Sequence, residues 1–349
     1  MAQPQLKNDS PSPANKNADD LVQVKNLRKH FPVQSGFIAE MLNRGQIPAV
    51  KAVDGVSFSI RRGEVFGLAG ESGSGKSTVG RLVLGLLEPT DGQMIFDGND
   101  LGSLKPEEMR RLRSRMQVIF QDPLASLNPR MSIGEAILHP VKIHITNDPR
   151  EGREVVYQIL KKVGLAPPEQ YYDKFPHQIS GGQRQRIVIA RALVTTPDLV
   201  VADEPIAMAD VSVRSLLLDL MMRLKNELNL TYLFITHDLA TAKYICDRIA
   251  IMYLGRLCEI GPLADVYEHS GHPYTRALLE AVPVPDPRHR RKEPMPAGEI
   301  PSAINPPSGC RFHPRCPIAQ ANCAVDEPEL RELRPGHQIA CHYAEQFLE

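Results

Sequence analysis

The sequence predicts an α/β fold built on a mainly parallel sheet, and three observations predict it. Short apolar runs, VFGLAG (65–70), LVVA (199–202), YLFIT (232–236) and IAIMYL (249–254), alternate with stretches of helical apolar spacing. The first of these runs ends in glycines and passes into TVGRLVLGLL (78–87), which makes a strand, loop, helix unit. Hydrophobic residues are 42% of the 349-residue chain, enough to bury a core, yet no apolar run approaches the ~18–20 residues that span a bilayer. At about 150 residues per domain the length suggests two or three domains. The 41 Lys and Arg balance the 41 Asp and Glu, which excludes a nucleic-acid binder driven by net charge.

In chain order, residues 1–20 are polar, rich in Pro and Asn and without periodicity, so a disordered leader is expected. They hold no apolar signal segment, which makes the cytoplasm the expected compartment and the cysteines thiols or metal ligands. Residues 21–32 and 50–60 suggest strands, the second with an Asp54-Gly55 turn, and 33–49 a surface insertion between them. Helical spacing dominates 105–175, interrupted by the strand VIF (118–120), so a helical insert of about 122–176 sits inside the α/β domain. Helices are then expected at about 182–194 and 213–227. Twelve prolines fall between Pro283 and Pro335, with the basic run RHRRK (288–292) among them, read as a solvated linker. The region 256–349 is therefore expected to be a small appended module, too irregular for much apolar core.

The strongest local signal is GESGSGKST (70–78), which fits G-x-x-x-x-G-K-[ST] between a strand and a helix. Such a loop wraps phosphates with backbone N–H groups, and the helix N-terminus favours an anion. Gly70, Glu71, Ser72, Gly73, Ser74, Gly75, Lys76, Ser77 and Thr78 are thus candidate nucleotide-binding residues, with Lys76 toward the β and γ phosphates and Ser77 on Mg2+. LVVADE (199–204) places Asp203 at a strand's carboxyl end, where it can hold Mg2+, and Glu204 where it can orient or deprotonate water. Gln121 and His237, each following a strand, complete a candidate hydrolytic shell, Gln121 near the metal and water, His237 near the γ-phosphate. In HQISGGQRQRIVIARAL (177–193), Ser180 can cap a helix while Gly181 and Gly182 let its N–H groups approach an anion. Two phosphate-binding surfaces with one glycine loop suggest a dimer.

GESGSGKST, FQDP, ISGGQRQR, VVADEP and THD occur in the order and spacing of ATP-binding cassette ATPases, and the chain resembles that family over roughly 21–255. The resemblance implies a P-loop NTPase of ATP-binding cassette type that acts as a head-to-tail dimer with two nucleotides between P-loop and signature segment. It implies that Ser180, Gly181, Gly182 and Gln183 lie on the nucleotide of the opposite subunit and that Asp210 belongs to the loop between the sites. Phe31 resembles the aromatic that stacks on adenine, and a core role for it is equally open. FQDPLASLNPRMSIGEAI (120–137), GHPYTRALLEAVP (271–283) and GCRFHPRCPIAQANC (309–323) resemble the ATPase subunits of dipeptide and oligopeptide importers, the second of two paired ATPases in particular. The resemblance then implies a second homologous ATPase as heterodimer partner, two transmembrane permease subunits and an extracytoplasmic substrate-binding protein. The chain would sit peripherally on the cytoplasmic face of the membrane, with peptides, nickel chelates or some sugars as cargo. Ile133, Ala136 and Ile137 either line the groove for a permease coupling helix or pack the insert.

One segment departs from that family: DEPIAMADVSV (203–213) has Ala207 and Ala209 where a serine and a leucine are usual. This keeps open a mainly regulatory ATP-binding subunit whose partner hydrolyses. A DNA-repair or chromosome ATPase is disfavoured, because no charged heptads are sustained. Cys310, Cys316, Cys323 and Cys341 are spaced C-x5-C-x6-C-x17-C, which suits zinc or an iron-sulfur cluster as a staple for the tail, with free thiols or disulfides as the alternative. The importer resemblance implies a [4Fe-4S] cluster on these four. Cys246 and Cys258 are expected to be buried thiols.

Overall fold

The computed structural model describes residues 20–33, 48–282 and 298–348. Nearly all of the expected leader, most of the 33–49 insertion and the RHRRK run lie outside the described residues. Strands β1 (Asp20–Pro32), β2 (Ala49–Arg61), β4 (Asp91–Phe96) and β5 (Asn99–Asp100) form an antiparallel sheet in the order β2-β1-β4-β5. Asp54-Gly55 is not a turn. Strand β2 runs through it, and Gly55 at φ +84° takes up a shift in its register with β1.

The second sheet has eight strands in the order β11-β12-β10-β9-β3-β8-β7-β6. Its parallel part comprises β3 (Val65–Ala69), β6 (Met116–Ile119), β7 (Leu199–Asp203), β8 (Thr231–Thr236) and β9 (Arg248–Tyr253). These strands read as continuous apolar runs because both sheet faces are covered. Along β8, Tyr232 and Phe234 enter the core that includes Ile187, Val188 and Leu217. Leu233 and Ile235 enter the opposite one, with Phe66, Val79 and Leu82. That is the period-two alternation of a strand buried on both sides. Parallel pairing brings the carboxyl ends of β3, β6, β7 and β8 to one edge of the sheet.

The insert holds helices Ile133–His144 and Pro149–Lys162 and the short helix Glu169–Tyr172. Ser132 opens the first with a capping box: its Oγ accepts from the Glu135 N–H at 3.2 Å, and its own N–H donates to Glu135 Oε2 at 2.8 Å. Ile133 and Ile137 are fully buried and pack the insert. Ala136 instead lines a groove of about 320 Å³ with Met131, His139, Pro140 and Arg191.

The C-terminal region continues the main sheet. Strand β10 (Arg256–Pro262) pairs antiparallel with β9, then β12 (His337–Ile339) with β10 and β11 (Arg331–Arg334) with β12. It has an apolar core after all: Phe312 lies 5.4 Å from the Tyr253 ring and 5.3 Å from that of Tyr274, and Ile339 and Ala344 are fully buried.

This corrects the expected [4Fe-4S] cluster and its zinc alternative. Among the described residues no group of three or more His, Cys, Asp or Glu side chains could hold a metal ion. All six cysteines are free. Cys310, Cys316, Cys323 and Cys341 border a shared space of only about 10 Å³, scarcely one water. Burial pushes the Cys310 thiol up to about 11 and that of Cys341 up to about 12. His313 Nδ1 and His342 Nε2 are engaged by the Cys310 and Asp326 carbonyls, both at 2.9 Å. Packing around Phe312 supplies the staple that the cysteine spacing had suggested. Cys246 and Cys258 are buried, and burial raises both thiols.

Candidate functional site

The site is built where β3, β6, β7 and β8 end. Gly70 follows β3 at φ +148°, and a Cβ there would lie 2.1 Å from the Met252 carbonyl oxygen. Gly75, at φ +106°, ends the loop as the left-handed N-cap of helix Lys76–Val83, where a Cβ would lie 2.0 Å from the Ala52 carbonyl oxygen. Only glycine fits either position, so the loop is a backbone cradle pressed against β9 and β2. No side chain caps the helix, which leaves its first N–H groups open to an anion.

Lys76 is buried at the base of this cradle. Its Nζ donates to the Gly70 and Glu71 carbonyls at 2.8 Å and to Ser74 Oγ at 3.3 Å. Burial pulls its ammonium below the usual lysine value, and Glu204, Asp203 and Glu71 act against that pull. Ser77 Oγ donates to Asp203 Oδ1 at 3.0 Å. Burial raises the Asp203 carboxyl; the Ser77 hydroxyl opposes the rise and neighbouring Glu204 adds to it. A hydroxyl and a carboxylate side by side suit Mg2+, which takes one or two protein oxygens together with phosphate and water.

Glu204 is gripped from two sides. Gln121 Nε2 donates to its Oε2 at 2.9 Å, and His237 Nδ1 lies 3.0 Å from its Oε1. Gln121 comes from the end of β6 and His237 from the end of β8, so the parallel sheet sets the triangle. The Glu204 backbone sits at φ +47°, a left-handed conformation costly for a residue with a Cβ, held by its N–H donating to the Ile235 carbonyl at 3.0 Å. A cavity of about 350 Å³ adjoins it, lined by His237, Ala207, Arg214 and Leu278 among others.

The Ser180 segment is separate: among the described residues, no hydrogen bond or ion pair joins residues 180–183 to the glycine loop, Asp203 or Glu204. Ser180 caps helix Gly181–Leu193, its Oγ accepting from the Gln183 N–H at 3.3 Å while its N–H donates to Gln183 Oε1 at 3.0 Å. Gly181 is exposed. Asp210 is the N-cap of helix Val211–Leu228 without a side-chain cap. Phe31 lies near the end of β1, 36% exposed, with Lys29 Nζ 5.3 Å from its ring centre.

Sequence reasoning missed three residues. Buried Gln185 donates through Nε2 to the Pro205 carbonyl, tying the Ser180 helix to the turn after Glu204. Tyr274 and Arg315, both from the C-terminal region, contact Glu71. No spacing rule marks contacts so distant in the chain.

An ABC transporter family model matches residues 53–207, and one for the oligopeptide/dipeptide transporter C-terminal region matches 258–323. A putative peptide import ATP-binding protein of Brucella ovis is 50% identical over 321 residues, 92% of this chain and 97% of its own. The oligopeptide transport ATP-binding protein AppF of Bacillus subtilis is 45% identical over 329 residues, 93% of this chain and 98% of its own. Among solved structures, a dimeric ATP-binding cassette in a post-hydrolysis state with ADP and Pi superposes with a TM-score of 0.60 at 27% identity. That match covers 69% of this chain and 98% of the solved one.

Proposed function

The chain belongs to the ABC transporter family as an ATP-binding cassette subunit closely related to peptide-import ATPases, and on that premise we propose that it hydrolyses ATP to drive peptide import. The glycine loop from Gly70 to Thr78 wraps the phosphates, Lys76 neutralises their charge, and Phe31 offers its exposed face to the base. Ser77, Asp203 and Gln121 are the residues that would hold Mg2+, whose chemistry is to neutralise charge developing on the transferred phosphoryl group. Glu204 orients the attacking water and draws its proton, with Gln121 and His237 holding the carboxylate in one pose. Ser180, Gly181, Gly182 and Gln183 serve the nucleotide held by a partner ATPase. The exposed first turn of helix Gly181–Leu193 supports this, since its N-terminal N–H groups favour an anion. Asp210 lies in the loop between the two sites.

Among the described residues no helix is long and apolar enough to cross a membrane. Kinship with peptide-import and oligopeptide-transport ATPases implies a multi-subunit transporter, and we place the chain at the cytoplasmic face, docked on two permease subunits fed by an external binding protein. The groove beside Ala136, with Leu124 and Ile143 exposed on the same insert, is the surface offered to a permease.

The observation that carries the reading is the Gln121, Glu204, His237 triangle at the mouth of the glycine loop. It favours a hydrolysing subunit over a regulatory one, although Ala207 and Ala209 replace the usual side chains nearby. Glu204→Gln keeps the size of the side chain and its ability to bridge Gln121 and His237 but removes the base. In the assembled transporter, with the partner's matching glutamate already replaced, it is expected to slow phosphate release by about 10²–10⁴-fold, the range for a lost general base. Unchanged release would assign hydrolysis elsewhere.

A further inference from the structure

We propose that Arg315 and Tyr274 are positioning residues for the phosphate loop: the C-terminal region clamps Glu71 and thereby sets the affinity of the cassette for ATP. Glu71 is the second residue of the loop, and it is held at three points. Its carboxylate receives a two-pronged guanidinium, Arg315 Nη1 to Oε2 at 2.9 Å and Nη2 to Oε1 at 3.1 Å. Its backbone N–H donates to the Tyr274 hydroxyl at 2.8 Å. Its carbonyl accepts from Lys76 Nζ at 2.8 Å and from the Ser74 N–H at 3.2 Å. Two of these holds come from the C-terminal region and the third is the lysine that must reach phosphate. Moving Glu71 therefore moves an acceptor of Lys76.

The clamp is rigid for physical reasons. The Arg315 side chain is 7% exposed and that of Glu71 19%, so the pair is withdrawn from water, where a planar fork on a carboxylate is strong and directional. The guanidinium lies 5.8 Å from the Tyr253 ring and 5.9 Å from the Phe312 ring, which prevent it from swinging away. Arg315 closes a short turn, His313–Arg315, between Cys310 and Cys316. The same segment is anchored a second time, by Arg311 donating to the Leu254 carbonyl and to Asp54. Tyr274 is buried in the first turn of helix Pro273–Glu280, its N–H donating to His272 Nδ1 at 3.0 Å. The tip of the loop gains no comparable support: Ser72 and Gly73 are exposed, and a Cβ on Gly73 would meet nothing within 4 Å. Any event that shifts the C-terminal region is thus felt at the nucleotide.

The inference rests on the chain binding ATP at this loop. The test uses the full chain in its assembled transporter, measuring KM and kcat for MgATP together with equilibrium binding of MgATP. Arg315→Gln is expected to raise KM and Kd about tenfold with kcat within about twofold, the worth of one charge-assisted contact. Arg315→Lys is expected to recover part of that. Combining Arg315→Gln with Glu71→Gln is expected to be no worse than Arg315→Gln alone, because the orphaned carboxylate goes too. Tyr274→Phe removes one oxygen and keeps the packing, so it answers the question if Arg315→Gln fails to fold; a two- to threefold rise in KM is expected, about the loss of one neutral hydrogen bond. An unchanged KM in the folded variants, a loss confined to kcat, or additive effects of Glu71→Gln and Arg315→Gln would overturn the proposal. Absence of MgATP binding by the unaltered chain would instead defeat the functional reading beneath it.

Discussion

Replacing Lys76 by methionine isolates the charge at the base of the cradle. Methionine keeps the unbranched apolar stem and ends one atom short of Nζ, so packing around the buried residue is largely conserved. Three acceptors lose this donor, the Gly70 and Glu71 carbonyls, each 2.8 Å from Nζ, and Ser74 Oγ at 3.3 Å, although the Glu71 carbonyl keeps the Ser74 N–H. On the proposed function, the ammonium of the unaltered chain exchanges some of these for phosphate oxygens when nucleotide arrives. Burial already disfavours the charged form of this lysine, and Asp203, Glu204 and Glu71 oppose that, so a phosphate is one more anion in a site built to keep the charge. One hydrogen bond from a charged donor contributes about 1.5–3 kcal/mol, which corresponds to roughly a 10- to 150-fold weaker Kd for MgATP. Competition against a fluorescent nucleotide measures it, with a thermal melt to establish that the variant is folded. A folded Lys76→Met chain whose affinity falls less than about threefold would refute the assignment of this lysine to phosphate.

Gly75→Ala is expected to lower stability by at least ~1–2 kcal/mol, since alanine would be forced into a left-handed conformation; urea denaturation measures it. Its Cβ would also meet the Ala52 carbonyl oxygen at 2.0 Å, so the loop must shift and MgATP binding should weaken as well. Acid should loosen the contact between the cassette and its C-terminal region through Asp54. Burial alone would raise this carboxyl, but the hydrogen bond and charge of Arg311, with Arg256 and His30, outweigh it and hold it below the usual aspartate range. A carboxyl depressed in the folded state contributes stability above its unfolded value of about 3.9 and loses it as pH falls through the folded value. Denaturant midpoints should therefore fall as pH drops below about 4, and more steeply for the unaltered chain than for Asp54→Asn, which is expected to be weaker already at neutral pH.

The parallel strands were legible because burial on both faces turns them into apolar runs, and the glycine loop because its chemistry demands a fixed spacing. Asp203, Gln121 and His237 could be picked out because each directly follows such a run, and Glu204 because it comes one residue after Asp203. The hairpin of β4 and β5 was overlooked even though Asp97-Gly98, both at positive φ, is a strong two-residue turn signal. Asp54-Gly55 carries the same dipeptide inside a continuous strand, where long pairing with β1 overrides local turn preference. Proline and cysteine content disguised the C-terminal region, whose strands are short and whose core depends on one buried phenylalanine meeting tyrosines from other elements. The left-handed backbone of Glu204 and the grip of Arg315 on Glu71 arise only from tertiary packing. No local pattern encodes them.

The most direct measurement is phosphate release by the complete transporter in proteoliposomes, with and without peptide-loaded binding protein outside. The predicted outcome is that loaded binding protein speeds ATP turnover, that peptide accumulates only with ATP present, and that Glu204→Gln here, in the background of the replaced partner glutamate, slows both by about 10²–10⁴-fold. Turnover indifferent to the binding protein, or peptide uptake undiminished in that variant, would contradict it.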